Sequence, residues 1–235
     1  MNQSAQSSPL PEKLETAFKA LAPLLPNRMP RAAKQSFTIE ALTQAFVTLQ
    51  EPLELAKNQG RLINPWAITG IKSDEARNSS ALAGLWQLDF GGSVSRNFLV
   101  NYLRIAIDSV NWHEVLRSHY HVETECNPIG DRSDRVDIVV EAQGHVVGIE
   151  IKIYAALGAE QLERYISSIN RRASLCGSMP HVILLAPFTS PQASVSSTTW
   201  ADVARAAYTI KSPHQSQRSF IENLIVSFGD HVMSF

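Results

Sequence analysis

The sequence predicts an α/β fold in which helices flank a central mixed sheet, preceded by a helical N-terminal extension. Residues 136–140 and 147–153 place apolar side chains at every second position, which is the period of a strand with one buried face. A short glycine-containing turn at 141–144 joins the two strands into a hairpin. Residues 181–187 form a continuous apolar run, typical of a strand covered by helices on both faces.

Length and composition fit one domain with a small appendage, which we place at 61–235 and 1–60. Lys and Arg total 21 against 22 Asp and Glu, so any surface for nucleic acid has to be local. The polar N-terminus does not resemble a signal peptide, and no apolar run approaches the roughly 20 residues of a membrane span. The two cysteines do not suggest a disulfide framework. These features predict a cytoplasmic protein that does not enter a membrane, most simply a bacterial one.

Amphipathic segments precede the hairpin. Two helices are predicted within the extension, at 12–25 and 37–58, and they carry no recognisable motif. A further helix runs to Trp86, with Ser73 as its predicted N-cap and Glu75 in its first turn. A glycine-containing loop, a long buried helix and the first strand of the sheet are then predicted at 91–95, 97–117 and 122–125.

The elements after the hairpin alternate between helix and strand. Helix 159–172 places Leu162, Ile166 and Ile169 on one stripe. The strand at 181–187 leads into a predicted polar loop at 188–199. Thr199 and Asp202 have the spacing of a capping box, which predicts a helix from Trp200. The last helix is predicted at 216–228, packing through Phe220, Leu224 and Ile225.

The hairpin carries the candidate site. In one register, Asp137, Glu150 and Lys152 project from the same face. Two converging carboxylates form a hard-oxygen site suited to Mg²⁺, to which the carbonyl of Ile151 could add a third oxygen. A lysine beside the metal could orient or help deprotonate a water, or contact a phosphate oxygen, so these parts suit hydrolysis of a phosphodiester. Taken alone, however, Glu150 and Lys152 fit better as an ion pair on a solvated strand face.

The neighbouring helices add three polar residues, each of which has a structural explanation besides a functional one. Gln161 and Tyr165 lie four positions apart and share a helix face, where they could bind phosphate or support the lysine. By themselves they fit better as a helix edge with a half-buried tyrosine. Glu75 is well explained as an acid that interacts with the helix dipole.

Together these residues resemble the PD-(D/E)XK nuclease superfamily, and more closely a bacterial group with the core Arg-x-Asp-Ile, Ile-Glu-x-Lys-Ile and Gln-Leu-x-x-Tyr. The matching positions are Arg135, Asp137, Ile138, Ile149, Glu150, Lys152, Ile153, Gln161, Leu162 and Tyr165. The upstream Glu-x-Arg-x-Ser of that group matches Glu75, Arg77 and Ser79. The resemblance covers about residues 62–228. Three departures are Val136 where a proline is common, Ile151 where the group has Asn, and Asn78 where His is frequent.

The resemblance implies a restriction-endonuclease-like core and a Mg²⁺-dependent nuclease, with Mn²⁺ as a substitute, that acts as an endonuclease on DNA. It implies these catalytic residues: Glu75, Asp137, Glu150, Lys152, Gln161 and Tyr165. The implied metal ligands are Asp137, Glu150, the Ile151 carbonyl and Glu75. The implied contacts to nucleic acid are Arg77, Ser79, Arg135 and Arg164, with the weaker alternative that each arginine merely solvates the end of a helix or strand.

Two alternatives remain open from the sequence. The fold could serve as a nucleic-acid- or protein-binding module with little or no catalysis, in phage defence or mobile-element biology. The hairpin could also be an ordinary one in an unrelated α/β protein, in which case Asp137, Glu150 and Lys152 would lie on different faces. A homodimer that cuts both strands is compatible with the resemblance.

Overall fold

The computed structural model describes residues 38–58, 60, 62–126, 136–154, 158–214 and 217–235. The chain separates into two units, Met1–Gly60 and Arg61–Phe235. In the first unit, helix α1 (Ile39–Asn58) contains Pro52 and has no buried residue. The helix predicted at 12–25 lies outside the described residues. The division of the chain into an extension and a main domain stays a prediction.

The second unit combines helices with a five-stranded sheet. Its helices are α2 (Pro65–Ile68), α3 (Glu75–Trp86), α4 (Leu88–Ala106), α5 (Trp112–Val115), α6 (Ala159–Cys176), α7 (Trp200–Thr209) and α8 (Phe220–Val232). Its strands are β1 (His121–Cys126), β2 (Val136–Ala142), β3 (His145–Ile151), β4 (Met179–Leu185) and β5 (Val195–Thr198). The α/β prediction is confirmed.

The sheet is mixed, with strand order β1-β2-β3-β4-β5. The first three strands are antiparallel neighbours, whereas β3, β4 and β5 are parallel. Ile138 of β2 pairs with Ile149 of β3, which brings the adjacent Asp137 and Glu150 alongside each other. The hairpin therefore has the register that the candidate site requires.

Helices cover both faces of the sheet. A large apolar core, rich in residues of α3, α4, α7 and α8, covers one face, and a smaller core under α6 covers the other. Gly148 of β3 permits close approach of α6, because a Cβ built at this position would lie 2.4 Å from the side chain of Ile169. The continuous apolar pattern of β4 follows from burial on both faces.

The structure corrects three predictions in α3, in α4 and in the segment after α4. The loop predicted at 91–95 belongs to α4, which kinks at Gly92 (φ 57°, ψ −131°) and continues. The long helix predicted at 97–117 ends at Ala106, and only the short α5 follows. The N-cap of α3 is Asp74 rather than Ser73, since the Asp74 carboxylate accepts the Arg77 N–H at 3.0 Å.

Two further corrections concern the C-terminal third. The loop predicted at 188–199 contains β5, which forms because its Val195 and Thr198 are buried against the edge of β4. The last helix begins at Phe220, after a capping box of Ser219 and Glu222. Phe220 therefore lies at the exposed start of α8 and does not pack in the core. The capping box predicted for Thr199 and Asp202 is present at the start of α7.

Candidate active site

The site lies where β3 ends beside the start of β2. The Asp137 carboxylate accepts the backbone N–H of Ile151 at 2.8 Å, which fixes it next to the end of β3. Glu150 precedes Ile151, and its side chain is only 1% exposed. Two carboxylates are thus held together by the hairpin itself, as the alternation of its side chains predicts.

Lys152 follows immediately and contacts several oxygens. Its Nζ lies 2.8 Å from Glu150 Oε1 and donates to the Ile151 carbonyl at 2.9 Å. Glu75 Oε2 is 3.8 Å away. The Lys152 backbone N–H donates to Leu185 O at 2.8 Å, which ties the residue to the end of β4. Lys152 is therefore held in position both through its ammonium group and through its backbone.

Glu75, the first residue of α3, reaches the same region. Its Oε2 accepts the Ile153 N–H at 3.1 Å, which links α3 to the segment after β3. The start of α3 is held by the fully buried Asn78, whose amide donates to the carbonyls of Lys72 and Asp74. His231 of α8 lies 3.1 Å from the Asn78 oxygen. This network fixes the position from which Glu75 reaches the site.

Gln161 and Tyr165 of α6 complete the cluster. Helix α6 covers the face of the sheet from which Glu150 projects, opposite to the face that α3 covers. The Gln161 amide donates to the Tyr165 hydroxyl at 2.6 Å and to Glu150 Oε1 at 3.3 Å. Tyr165 is buried. The pair therefore orients Glu150 directly, whereas a contact to Lys152 would pass through that carboxylate.

The electrostatics follow from placing carboxylates in a buried position. Burial, and then the nearby Asp137 charge, raise the pKa of Glu150 to about 8, although Lys152 opposes this shift. Burial likewise raises the pKa of Asp137. Burial alone would lower the pKa of Lys152, but its contacts with Glu150, Asp137 and Glu75 raise it above its ordinary value. Asp137 and Glu150 are therefore hard to ionise together, because Lys152 alone does not offset their burial and mutual repulsion.

A comparison with protein families agrees with this geometry. The family model of the PD-(D/E)XK nuclease superfamily matches residues 64–223, which is more than half of the chain. The chain belongs to the PD-(D/E)XK nuclease superfamily. Its mixed sheet with flanking helices is the restriction-endonuclease-like core expected from the resemblance. No curated protein and no solved structure gave a significant match. No helix in the described part of the chain is long and apolar enough to cross a membrane.

Members of this nuclease superfamily generally use divalent metals, and the donor set here fits one. Glu150 Oε2 is buried and has no hydrogen-bond partner among the described residues, so one carboxylate oxygen is left to interact with a cation. Asp137 and the Ile151 carbonyl lie beside it. Mg²⁺ is commonly held by one or two carboxylates, with water and substrate phosphate completing its shell. Across the described ranges, no group of three or more His, Cys, Asp and Glu residues could hold a metal ion, and the role of Glu75 as a further ligand stays a prediction.

The predicted nucleic-acid contacts of this nuclease-superfamily chain have different surroundings. Arg77 is exposed and lies 3.6 Å from Asp74. Ser79 is buried, and its hydroxyl donates to Glu75 O at 2.7 Å, so it supports the first turn of α3. Arg164 lies on the exposed side of α6. Arg135 lies outside the described residues. The roles of all four in binding stay predictions.

The sequence did not indicate which residues Trp200 contacts. Its indole N–H donates to the Lys152 carbonyl at 3.3 Å, and its ring packs edge-on against Phe235. The capping box before α7 predicted where the helix starts, yet nothing in that pattern indicates which residue the indole would contact. Asn78 was noted only as a departure from the family pattern, although it anchors the start of α3.

Proposed function

We propose that the chain is a divalent-metal-dependent nuclease that hydrolyses phosphodiester bonds in DNA as an endonuclease. The observation that carries this proposal is the buried Glu150 carboxylate, which lies beside Asp137, contacts Lys152 and keeps one oxygen without a hydrogen-bond partner among the described residues. A structural ion pair would be expected to satisfy both oxygens of so deeply buried a carboxylate.

Asp137, Glu150 and the Ile151 carbonyl would hold Mg²⁺, for which Mn²⁺ can substitute. When bound, the ion supplies positive charge that stabilises the negative charge developing on the phosphate. Lys152 donates its ammonium hydrogens to the attacking water or to a phosphate oxygen, so that attack is in line with the leaving oxygen. Glu75 keeps the segment after β3 in position through the Ile153 N–H. Gln161 and Tyr165 hold Glu150 in its orientation.

A binding module without catalysis is the second candidate. It is compatible with the described ranges, in which no group of three or more His, Cys, Asp and Glu residues could hold a metal ion. The near-neutral charge of the chain does not separate the two candidates, because either could use a local basic surface.

The test is cleavage of supercoiled plasmid, linear duplex and single-stranded DNA with Mg²⁺ or Mn²⁺. Asp137→Asn and Lys152→Ala are the site variants. Lys211→Ala is the matched control, because Lys211 lies over the Tyr208 ring outside the site. We expect metal-dependent conversion of closed circles by the wild type and the control, and none by the site variants. Thermal unfolding of each variant would separate lost chemistry from lost folding.

Cleavage that persists in both site variants would contradict the assigned site. A wild type that binds DNA but cuts neither DNA nor RNA with any metal would favour the binding module. Sedimentation of the same preparation would show whether two copies associate, as a cut through both strands by a homodimer would require.

A further inference from the structure

Two exposed aromatic residues follow the C-terminal ends of β3 and β4, at the end of the sheet that carries the candidate site. Strands β3 and β4 are parallel, and Ile151 pairs with Leu185. Tyr154 and Phe188 each follow three residues after that pair, so they leave neighbouring strands at the same edge. Tyr154 is 73% exposed and Phe188 is 37% exposed. Single exposed apolar residues are ordinary, but these two follow closely after Lys152 and Leu185, whose backbones are hydrogen-bonded to each other.

The backbone around Tyr154 is tied to the site. The two residues before Tyr154 are held by hydrogen bonds. The Lys152 carbonyl accepts from the Trp200 indole, and the Ile153 N–H donates to Glu75. Tyr154 is two residues from Lys152, so its Cα lies within about 7 Å of the lysine Cα. On the neighbouring strand, the Ala186 N–H donates to Thr198 O at 2.9 Å and holds the segment that leads to Phe188.

A nucleic acid can be held through its phosphates, through its bases or through both. Proteins that bind duplex DNA through phosphates rely on a basic surface that releases counterions. Lys and Arg total 21 against 22 acidic residues, and the site itself is rich in carboxylates. Stacking of bases on aromatic rings adds to the affinity from phosphate contacts, and it requires bases that are not paired within a duplex.

We propose that Tyr154 and Phe188 stack on unpaired bases that flank the scissile phosphate, so that the substrate is single-stranded or locally unpaired DNA. This inference rests on the proposed nuclease function and specifies its substrate class. Tyr154 is the main stacking residue because its ring is the more exposed of the two. Unpaired RNA offers the same aromatic faces, and a matched RNA strand in the test distinguishes the two sources.

The test measures binding without cleavage, by fluorescence anisotropy of the full chain in EDTA. The probes are a labelled single strand of about 12 thymidines, within the range of known single-strand site sizes, its uridine equivalent, and a duplex of equal length. The variants are Tyr154→Ala, Phe188→Ala and the conservative Tyr154→Phe. Phe220→Ala is the matched control, because Phe220 is 75% exposed. It also lies at the opposite end of α8 from His231, which contacts Asn78 near the site.

We expect Tyr154→Ala to weaken binding of the thymidine strand about tenfold or more, and Phe188→Ala to weaken it less. Tyr154→Phe and Phe220→Ala should bind as the wild type, and duplex binding should change less than twofold in every variant. The inference is overturned if Tyr154→Ala binds the single strand as tightly as the wild type, or if Phe220→Ala weakens binding equally. It is also overturned if the duplex loses as much affinity as the single strand.

Plasmid and single-strand cleavage with Mg²⁺, measured separately, distinguish this inference from the proposed function. A wild type that cuts DNA but whose single-strand binding does not depend on Tyr154 leaves the nuclease intact and removes the stacking proposal. A wild type that cuts nothing but needs Tyr154 to bind single strands removes the nuclease and retains a base-stacking site.

Discussion

The two ends of β3 both carry polar side chains beside aromatic or charged neighbours, but they are built differently. At the C-terminal end, the buried Glu150 contacts Lys152, and one of its oxygens has no partner among the described residues. At the N-terminal end, His145 Nδ1 lies 2.9 Å from His181 Nε2 of β4, and the two rings stack. The edge of Trp112 packs against both imidazoles.

The difference lies in how completely each pair is satisfied. Burial lowers the pKa of both histidines, and the neighbouring His145 adds to the effect on His181, so the pair is neutral at pH 7. Neutral, mutually hydrogen-bonded rings stabilise a fold without requiring a ligand. The carboxylate end retains two acids that resist ionising together, and an oxygen without a hydrogen-bond partner among the described residues. Within one strand, incomplete satisfaction separates the candidate active site from a structural pair better than polarity does.

The largest effect is expected from Glu150→Gln, which keeps the shape of the side chain and removes its charge. Cleavage should fall at least about 100-fold, because the site loses a metal ligand and a partner of Lys152. The midpoint of thermal unfolding should change little near pH 7, because glutamine keeps the size of the side chain and the raised pKa of about 8 already leaves Glu150 largely protonated there. Cleavage rates and calorimetry on one preparation measure both effects. A large drop in stability would indicate that Glu150 is mainly structural.

A smaller effect is expected from Asn78→Ala. The hydrogen bonds of Asn78 hold the start of α3, the helix from which Glu75 reaches the candidate site. Asn78 contacts two carbonyls and His231, and the Lys72 backbone it holds has φ of 44°. Loss of these hydrogen bonds should lower the free energy of unfolding by about 1–3 kcal/mol. Cleavage below the unfolding transition should fall less than in Glu150→Gln. Denaturant titration measures the first quantity, and stability equal to the wild type would contradict the assigned role.

The smallest effect on cleavage is expected at the histidine end, in the double variant His145→Phe/His181→Phe, which should cut as the wild type does. The pH dependence of its stability, however, should differ from that of the wild type. Both folded pKa values are lowered, so the unfolded chain, with an ordinary histidine pKa near 6.5, takes up protons first. The contribution of the pair to stability is therefore full above about pH 6.5 and is lost as the pH falls below it.

Thermal unfolding at about pH 7.5 and pH 5.5 measures this difference, and the double variant should lose less stability between them than the wild type. The other titratable groups that line the adjacent cavity of about 280 Å³ are the same in both proteins: His119, His121, Glu141 and Cys176. An equal loss in both proteins would show that the pair does not contribute to the pH dependence.

The site was predictable where it depends on local pattern. Alternating side chains and a short turn fix the register of Asp137 against Glu150, and the spacing of Gln161 and Tyr165 places them on one helix face. The family pattern added Glu75, which does reach the segment after β3, and its role as a metal ligand stays a prediction.

The parts that could not be predicted depend on distant neighbours. Strand β5 has few apolar residues and forms only because the edge of β4 is present. Gly91 suggested a loop, yet it lies in α4, where glycine is needed because a Cβ would lie 2.4 and 2.7 Å from the side chains of Ser95 and Ile221. His145 and His181 are 36 residues apart, and no local pattern indicates that they stack.

The order of strands in the sheet has a consequence for how the site forms during folding. The spatial order follows the chain order, so each strand pairs with its sequence neighbour. The contact of Asp137 with Ile151 spans 14 residues, whereas that of Glu75 with Ile153 spans 78. Closing the longer loop costs about 1.5 kcal/mol more chain entropy. The hairpin acids should therefore come together early, and α3 should deliver Glu75 in a later and slower step.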